Sequence, residues 1–216
     1  MTEHQKMLNG MIYDGNKEGL DKERIKAHKL CKQFNDLDED DSKRKELLDQ
    51  IFPNKGKNLV IAGNLMVDYG IYTSFGDDCY ANFNLTILDT CQVKIGNRVF
   101  FGPNVSIYTP IHPFISGERK YYINDDNNIT DMEYGKPITI GDDCWICGSV
   151  VILPGVNIGN RCIIGAGSVV SRDIEDDSLA YGNPAKVVRK ITKDDSVFLK
   201  KNLFENETEI EKYKNR

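Results

Sequence analysis

The sequence predicts a mainly β protein: a parallel β-helix with a helical N-terminal cap and a C-terminal helix. Three observations predict it. A six-residue apolar repeat runs through the middle of the chain, one long polar segment interrupts it, and helix-period patterns occur only at the two ends.

The cap covers residues 1–58. In "KERIKAHKLCKQFN", Ile25, Leu30 and Phe34 fall near one helical face. In "DSKRKELLDQIF", Leu47, Leu48 and Ile51 do the same, with Asp41 or Ser42 as N-cap.

The repeat covers 59–185. Steps of six from Ile71 give Asp77, Phe83, Asp89, Ile95, Phe101 and Ile107. The residues four further on are Phe75, Ala81, Ile87, Val93, Val99, Val105 and Ile111, all apolar. A second block steps from Ile140 through Ile146, Ile152, Ile158 and Ile164 to Val170, with partners Cys144, Val150, Val156, Cys162, Ser168 and Ile174. Each hexapeptide supplies one short strand and a corner, so two residues in six point inward. Backbone groups pair with the coils above and below, about 4.8 Å away. Glycine and asparagine in "IGNR", "IGDD" and "NIGN" suit the dihedrals of a tight corner. Each coil buries its inner face only against its neighbours, as in any solenoid.

This register also explains the cysteines. Cys144 of "CWIC" occupies an inward slot, and Cys162 is expected in the same slot one coil on. The pair therefore reads as core packing rather than as a redox or zinc motif.

Between Ile107 and Ile140 the step fails, because 33 residues is not a multiple of six. Residues 112–137 must leave the helix as a loop, and a loop of this length in a compact domain is usually functional or disordered. His112 stands at its root, with Pro113 fixing the direction of departure. After Asn183-Pro184 the chain reads as a C-terminal helical extension, 186–216, capped by Thr192. Val197, Leu203 or Phe204 and Ile210 lie on its apolar stripe.

Composition narrows the function. With 28 basic against 33 acidic residues the chain carries a net charge of −5, which argues against nucleic acid as a partner. No apolar run reaches the roughly 20 residues of a membrane span, and the polar N-terminus is no signal peptide. A cytoplasmic protein is expected. The histidines are His4, His28 and His112. Only the last lies in the coil region, so a three-histidine zinc site is not expected and no metal is required. A single histidine still serves as a general base, since it titrates near working pH. Its other reading is a loop-root residue bonded to the backbone.

The stretches "YDGN" (13–16), "CYANFNLTILD" (79–89), "GPNVSIYTPIHP" (102–113), "EYGKPITIGDDCWICGSVVILPGVNIG" (133–159) and "GAGSVVSRDI…GNPAKVVRKI" (165–191) resemble the maltose and galactoside O-acetyltransferases, a branch of the hexapeptide-repeat acyltransferases. The resemblance implies a left-handed helix and a homotrimer with its active site between subunits. The implied reaction is acetyl transfer from acetyl-CoA to a sugar hydroxyl. His112 would be the base, the backbone N–H of Gly148 the oxyanion donor, and Asp14, Asp68 and Asn82 the sugar contacts. Gly102, Gly148 and Ala166 would line the pantetheine arm of coenzyme A, with Ser171, Lys186 and Arg189 at its nucleotide end. Cys147 stands where the family usually has glycine. Thr90 stands where galactoside enzymes carry a second acid, so a maltose- or glucose-like acceptor is favoured. Trp145 projects outward, onto a neighbouring subunit or into the acyl cleft. Glu133 either orients His112 or is a plain loop-end carboxylate. Two alternatives are a non-sugar or antibiotic hydroxyl as acceptor, and a β-helix scaffold without catalysis.

Overall fold

A computed structural model describes residues 1–215 and shows a three-faced parallel β-solenoid. The first face stacks Asn54–Lys55, Thr73–Phe75, Val93–Ile95, Ile138–Ile140 and Asn157–Ile158. The second begins at Val60–Ile61 and the third at Leu65–Val67, and each repeats coil after coil. All twelve predicted inward positions of the second block, from Ile140 to Ile174, are buried.

The first block follows a different phase. Ser74 pairs with Lys94, Tyr80 with Phe100 and Thr86 with Ser106, so these coils have twenty residues. Thr139 pairs with Asn157, Trp145 with Ile163 and Val151 with Val169, so the later coils have eighteen. The equivalent positions Ser74, Tyr80, Thr86 and Lys94 lie six, six and eight apart, which puts both extra residues at the corner between the third and first faces. They shift the phase, so Ala81 stacks under Phe101 and Ile87 under Ile107. Phe83, expected inward, is therefore pushed to a corner and is 51% exposed. The long loop leaves after Thr109, at the lengthened corner between the third and first faces.

Ile111 is likewise not an inward coil residue. It pairs antiparallel with Tyr134 at the root of the loop. Farther out, Tyr122–Ile123 pairs antiparallel with Ile129–Thr130, so the loop is two stacked ribbons.

The corner between the first and second faces is held by a ladder. Asp77, Asn97, Asp142, Asn160 and Asp176 each accept a backbone N–H from the coil below, at 2.7–2.9 Å. One position on, Asp78, Arg98, Asp143, Arg161 and Asp177 all adopt positive φ, alternating in charge. Arg98 pairs with Asp143 and Arg161 with Asp177, each through two guanidinium nitrogens.

The cap consists of α1 (Glu3–Leu8), α2 (Leu20–Asn35) and α3 (Lys43–Ile51). The inner face of α2 is Leu20, Ala27, Cys31 and Phe34, so Ile25 is off the predicted face and 48% exposed. Ser42 is the N-cap residue of α3, and the Asp41 carboxylate beside it takes the Lys43 N–H at 2.8 Å. Buried Arg44 fastens the cap to the first coil by donating to Leu37, Ile61 and Gly63 carbonyls while covering the Phe34 ring.

Cys144 and Cys162 are both buried and stacked, as their neighbours Trp145 and Ile163 pair. All six cysteines are free, and Cys147 alone is not fully buried.

The C-terminal region departs from the reading. The strand Ala185–Lys190 extends the second face as an antiparallel hairpin with Ser178–Gly182, so residues 186–190 are not helical. Thr192 does cap, but it caps a 3-10 turn, Lys193–Asp195. Two more such turns follow before the helix α4 (Glu207–Lys214), which Asn206 caps. Side-chain caps at Ser196 and Asn206 restart the chain, and so a single long helix does not form.

Candidate active site

The lengthened corner gathers the polar chemistry. His112 leaves it exposed, with Nδ1 3.3 Å from the Met132 carbonyl oxygen and 3.4 Å from Asp131 Oδ2. Its Nε2 lies 3.7 Å from Glu133 Oε2, too far for a hydrogen bond. A carbonyl only accepts, so the ring proton belongs on Nδ1 and the Nε2 lone pair is free. The other Glu133 oxygen accepts from the Tyr13 hydroxyl, and the Glu133 carbonyl accepts the Tyr13 N–H at 3.1 Å. Burial pushes the Glu133 pKa up, against the opposing pull of Tyr13 and His112.

The cap supplies the facing wall. Asp14 is buried and accepts from Asn124 Nδ2, Thr130 Oγ1 and its own turn at Asn16 N, so it ties the loop ribbon to the cap. Burial disfavours its charge, yet these donors hold the carboxyl below its ordinary value. Asp68 sits 3.7 Å from His28 Nε2, and burial raises its pKa against the opposing pull of His28 and Arg24. Thr90 is buried, its hydroxyl 3.2 Å from that of Thr109. Between cap and loop lies a cavity of about 70 Å³ lined by Tyr13, Asn16, Arg24, Asp131 and Glu133. That is room for about two waters, not for a sugar.

The remaining predicted residues occupy a different edge. Asn82, Gly102, Gly148 and Ala166 lie at the corner between the second and third faces, stacked coil on coil. A Cβ on Gly102 would come within 2.4 Å of the Gly148 nitrogen, so only glycine lets these corners touch. The Gly148 N–H donates to no acceptor among the described residues. Asn82 turns its side-chain oxygen back to the Phe83 N–H. Burial raises the pKa of the Cys147 thiol, against the opposing pull of the Ala166 backbone. Trp145 projects outward between Phe100 and Ile163 and is 52% exposed. Ser171 follows the last strand of the third face, and Lys186 and Arg189 lie on the terminal hairpin, all exposed. Arg189 is held bidentately by Asp195 at 2.6 and 2.7 Å.

Thus one chain brings His112, Glu133, Asp14 and Asp68 to one corner, and Asn82, Gly102, Gly148 and Ala166 to another. From Asn82 to Asp89 is a strand's length, about 20 Å at ~3.3 Å per residue.

Comparison with known proteins fits this geometry. Residues 6–56 match the maltose acetyltransferase hexapeptide capping motif and residues 137–172 the bacterial transferase hexapeptide model. A maltose O-acetyltransferase from Clostridium difficile 630 is 41% identical, with a TM-score of 0.81 over 89% of this chain and 99% of that one. The chain belongs to the maltose and galactoside O-acetyltransferase family. A galactoside acetyltransferase solved with coenzyme A is 35% identical to this acetyltransferase, with a TM-score of 0.82 over 90% of this chain and 94% of that one. A hexapeptide-repeat acetyltransferase of Vibrio cholerae, solved with acetyl-CoA, is 32% identical at a TM-score of 0.77, over 89% of this chain and all of that one.

Sequence reasoning missed Tyr13, Arg24, His28 and Asp131 in this acetyltransferase. The first three belong to the cap, and nothing in their local pattern reports a contact across the fold. Asp131 was legible only as loop. Its spacing from Glu133 puts both acids on the returning segment just before Tyr134–Gly135, and that was the available signal.

Proposed function

We propose that this acetyltransferase moves the acetyl group of acetyl-CoA to a sugar hydroxyl, with a maltose- or glucose-like acceptor and His112 as general base. The observation that carries the reading is the contact of His112 Nδ1 with the Met132 carbonyl at 3.3 Å, which leaves Nε2 for the acceptor. As the acceptor oxygen attacks the thioester carbonyl, its proton passes to Nε2. On collapse of the tetrahedral intermediate the imidazolium returns that proton to the departing sulfur of coenzyme A. Between the two steps the imidazolium lies between Asp131 and Glu133, at 3.4 and 3.7 Å. The free Gly148 N–H suits the oxyanion, a term worth about 3 kcal/mol where it has been removed elsewhere.

The two corners lie too far apart in one chain to act on one carbonyl. A homotrimer, in which the Gly148 edge of one subunit faces the His112 corner of the next, supplies the missing wall. Asp14 has three of about four acceptor sites filled by its own chain and so offers the sugar one more. Thr90 is buried and bonded to Thr109, so it presents no second acid, which favours the maltose-like acceptor over a galactoside. Gly102 and Ala166 would line the pantetheine arm, and Ser171, Lys186 and Arg189 the nucleotide end. No helix among the described residues is long and apolar enough to cross a membrane, and we place the reaction in the cytoplasm.

The test is thiol release from acetyl-CoA with maltose, glucose and galactosides, in wild type and His112→Ala. A sugar-dependent rate lost by about three orders of magnitude or more in the variant supports the reading. Coenzyme A binding without turnover on any sugar would move the acceptor to a non-sugar hydroxyl. No coenzyme A binding at all would leave the scaffold reading.

A further inference from the structure

We propose that Tyr13 is a positioning residue: its hydroxyl holds the Glu133 carboxylate just off His112 and so keeps the Nε2 lone pair open for the acceptor. The inference rests on His112 being the base.

Three contacts carry it. The Tyr13 hydroxyl donates to one Glu133 oxygen, and its backbone N–H donates to the Glu133 carbonyl at 3.1 Å as an isolated antiparallel bridge. The second Glu133 oxygen then lies 3.7 Å from His112 Nε2, within reach of charge attraction but outside hydrogen-bond range. Tyr13 is 4% exposed, so its ring cannot swing away. Its phenol stays protonated across the working range, because burial and the adjoining Glu133 charge both raise its pKa. It is therefore a permanent donor.

Consider the corner without that hydroxyl. A buried carboxylate stripped of its donor turns to the nearest remaining one. The groups facing Glu133 are His112 and Asp131 at the loop, Asp68 and Tyr69 from the coil corner, and Arg24 from α2. Asp68 and Asp131 repel it. His112 Nε2 is 3.7 Å away, and a shift of the freed carboxylate by less than about 1 Å at its tip would close an Nε2–H···O bond as the ring takes up a proton. Such a bond locks the imidazolium and takes the base out of service. Tyr13 thus separates two uses of Glu133: charge stabilisation of the imidazolium at a distance, and capture of it by contact.

Histidine labelled with ¹³C at the ring gives three signals, and His112→Ala identifies the one from His112. In Tyr13→Phe we expect the His112 titration to move up by about one pH unit, the low end for an opposite charge brought into contact. With maltose and acetyl-CoA, the acid limb of kcat/KM moves with it, so activity one unit below the wild-type limb falls about tenfold. KM for acetyl-CoA stays unchanged. Adding Glu133→Gln returns the titration to the wild-type value or below. A His112 titration that stays put or falls in Tyr13→Phe overturns the inference, as it would if Arg24 took the carboxylate instead. So does a loss of thermal stability with no movement of the titration, since that is what a purely structural tyrosine gives. The two readings fail separately. Activity that survives His112→Ala removes the base, whereas an unmoved titration beside an inactive His112→Ala removes only the role of Tyr13.

Discussion

Replacing Asp89 by asparagine should make this protein more stable at neutral pH. Asp89 is completely buried at the lengthened corner. One carboxylate oxygen accepts the Tyr69 and Gly70 N–H groups at 2.8 and 3.1 Å, and the other accepts the Thr73 hydroxyl at 3.0 Å. Burial outweighs these three donors and pushes the pKa up from 3.8 to about 6. The folded state therefore binds the proton more tightly than the unfolded chain does. Its stability falls as pH rises from about 4 through 6, and the full cost is present above that. Two units correspond to about 3 kcal/mol. Asparagine keeps an oxygen for the two amides, and its NH₂ donates to the Thr73 hydroxyl in place of accepting from it. The assay is urea unfolding of both proteins from pH 4 to 8 at one fixed protomer concentration. Ionisations common to both cancel in the difference, which should grow in favour of Asp89→Asn by about 1–3 kcal/mol from pH 4 to 7. A difference that does not change with pH, or an asparagine variant weaker at pH 7, would refute the claim that burial governs this carboxyl.

Gly102→Ala should disrupt the corner stack, since its Cβ would fall 2.4 Å from the Gly148 nitrogen. Overpacking of this kind costs about 1–3 kcal/mol, and calorimetry should show a lower Tm together with weaker coenzyme A binding by titration. Cys147, the one cysteine not fully buried, should be the first to react with iodoacetamide, faster as pH rises because burial raises its thiol pKa. Acetyl-CoA should protect it. Peptide mapping that finds Cys144 or Cys162 labelled first would count against the placement of the acyl donor at this corner.

The coil was legible because its side-chain pattern is local and periodic. Ile140 to Ile174 needed only the rule that two residues in six face inward, and those positions are buried. The first block read less well for a specific reason. Two residues added per coil shift the phase without destroying the apolar frequency, so Phe83 looked like core. The site was half legible. His112 and Glu133 flank a visible break in the repeat, whereas Tyr13, Arg24 and His28 reach the corner only because the cap folds back on it. The terminal hairpin was hidden too. "AKVVRK" carries too much charge to announce a strand, and its pairing with Ser178–Gly182 supplies what the pattern lacks.

The alternating corner residues have a consequence for how the chain finds its own stacking order. Near-identical coils invite a folding chain to skip one and seat the next in its place. From Asp78 through Arg98, Asp143 and Arg161 to Asp177, the sign changes at each level. Omitting one coil would set Asp78 against Asp143, or Arg98 against Arg161. Exposed ion pairs add little to the finished structure. They give the coils a parity, and a nascent chain that miscounts by one meets like charges at the level of the error.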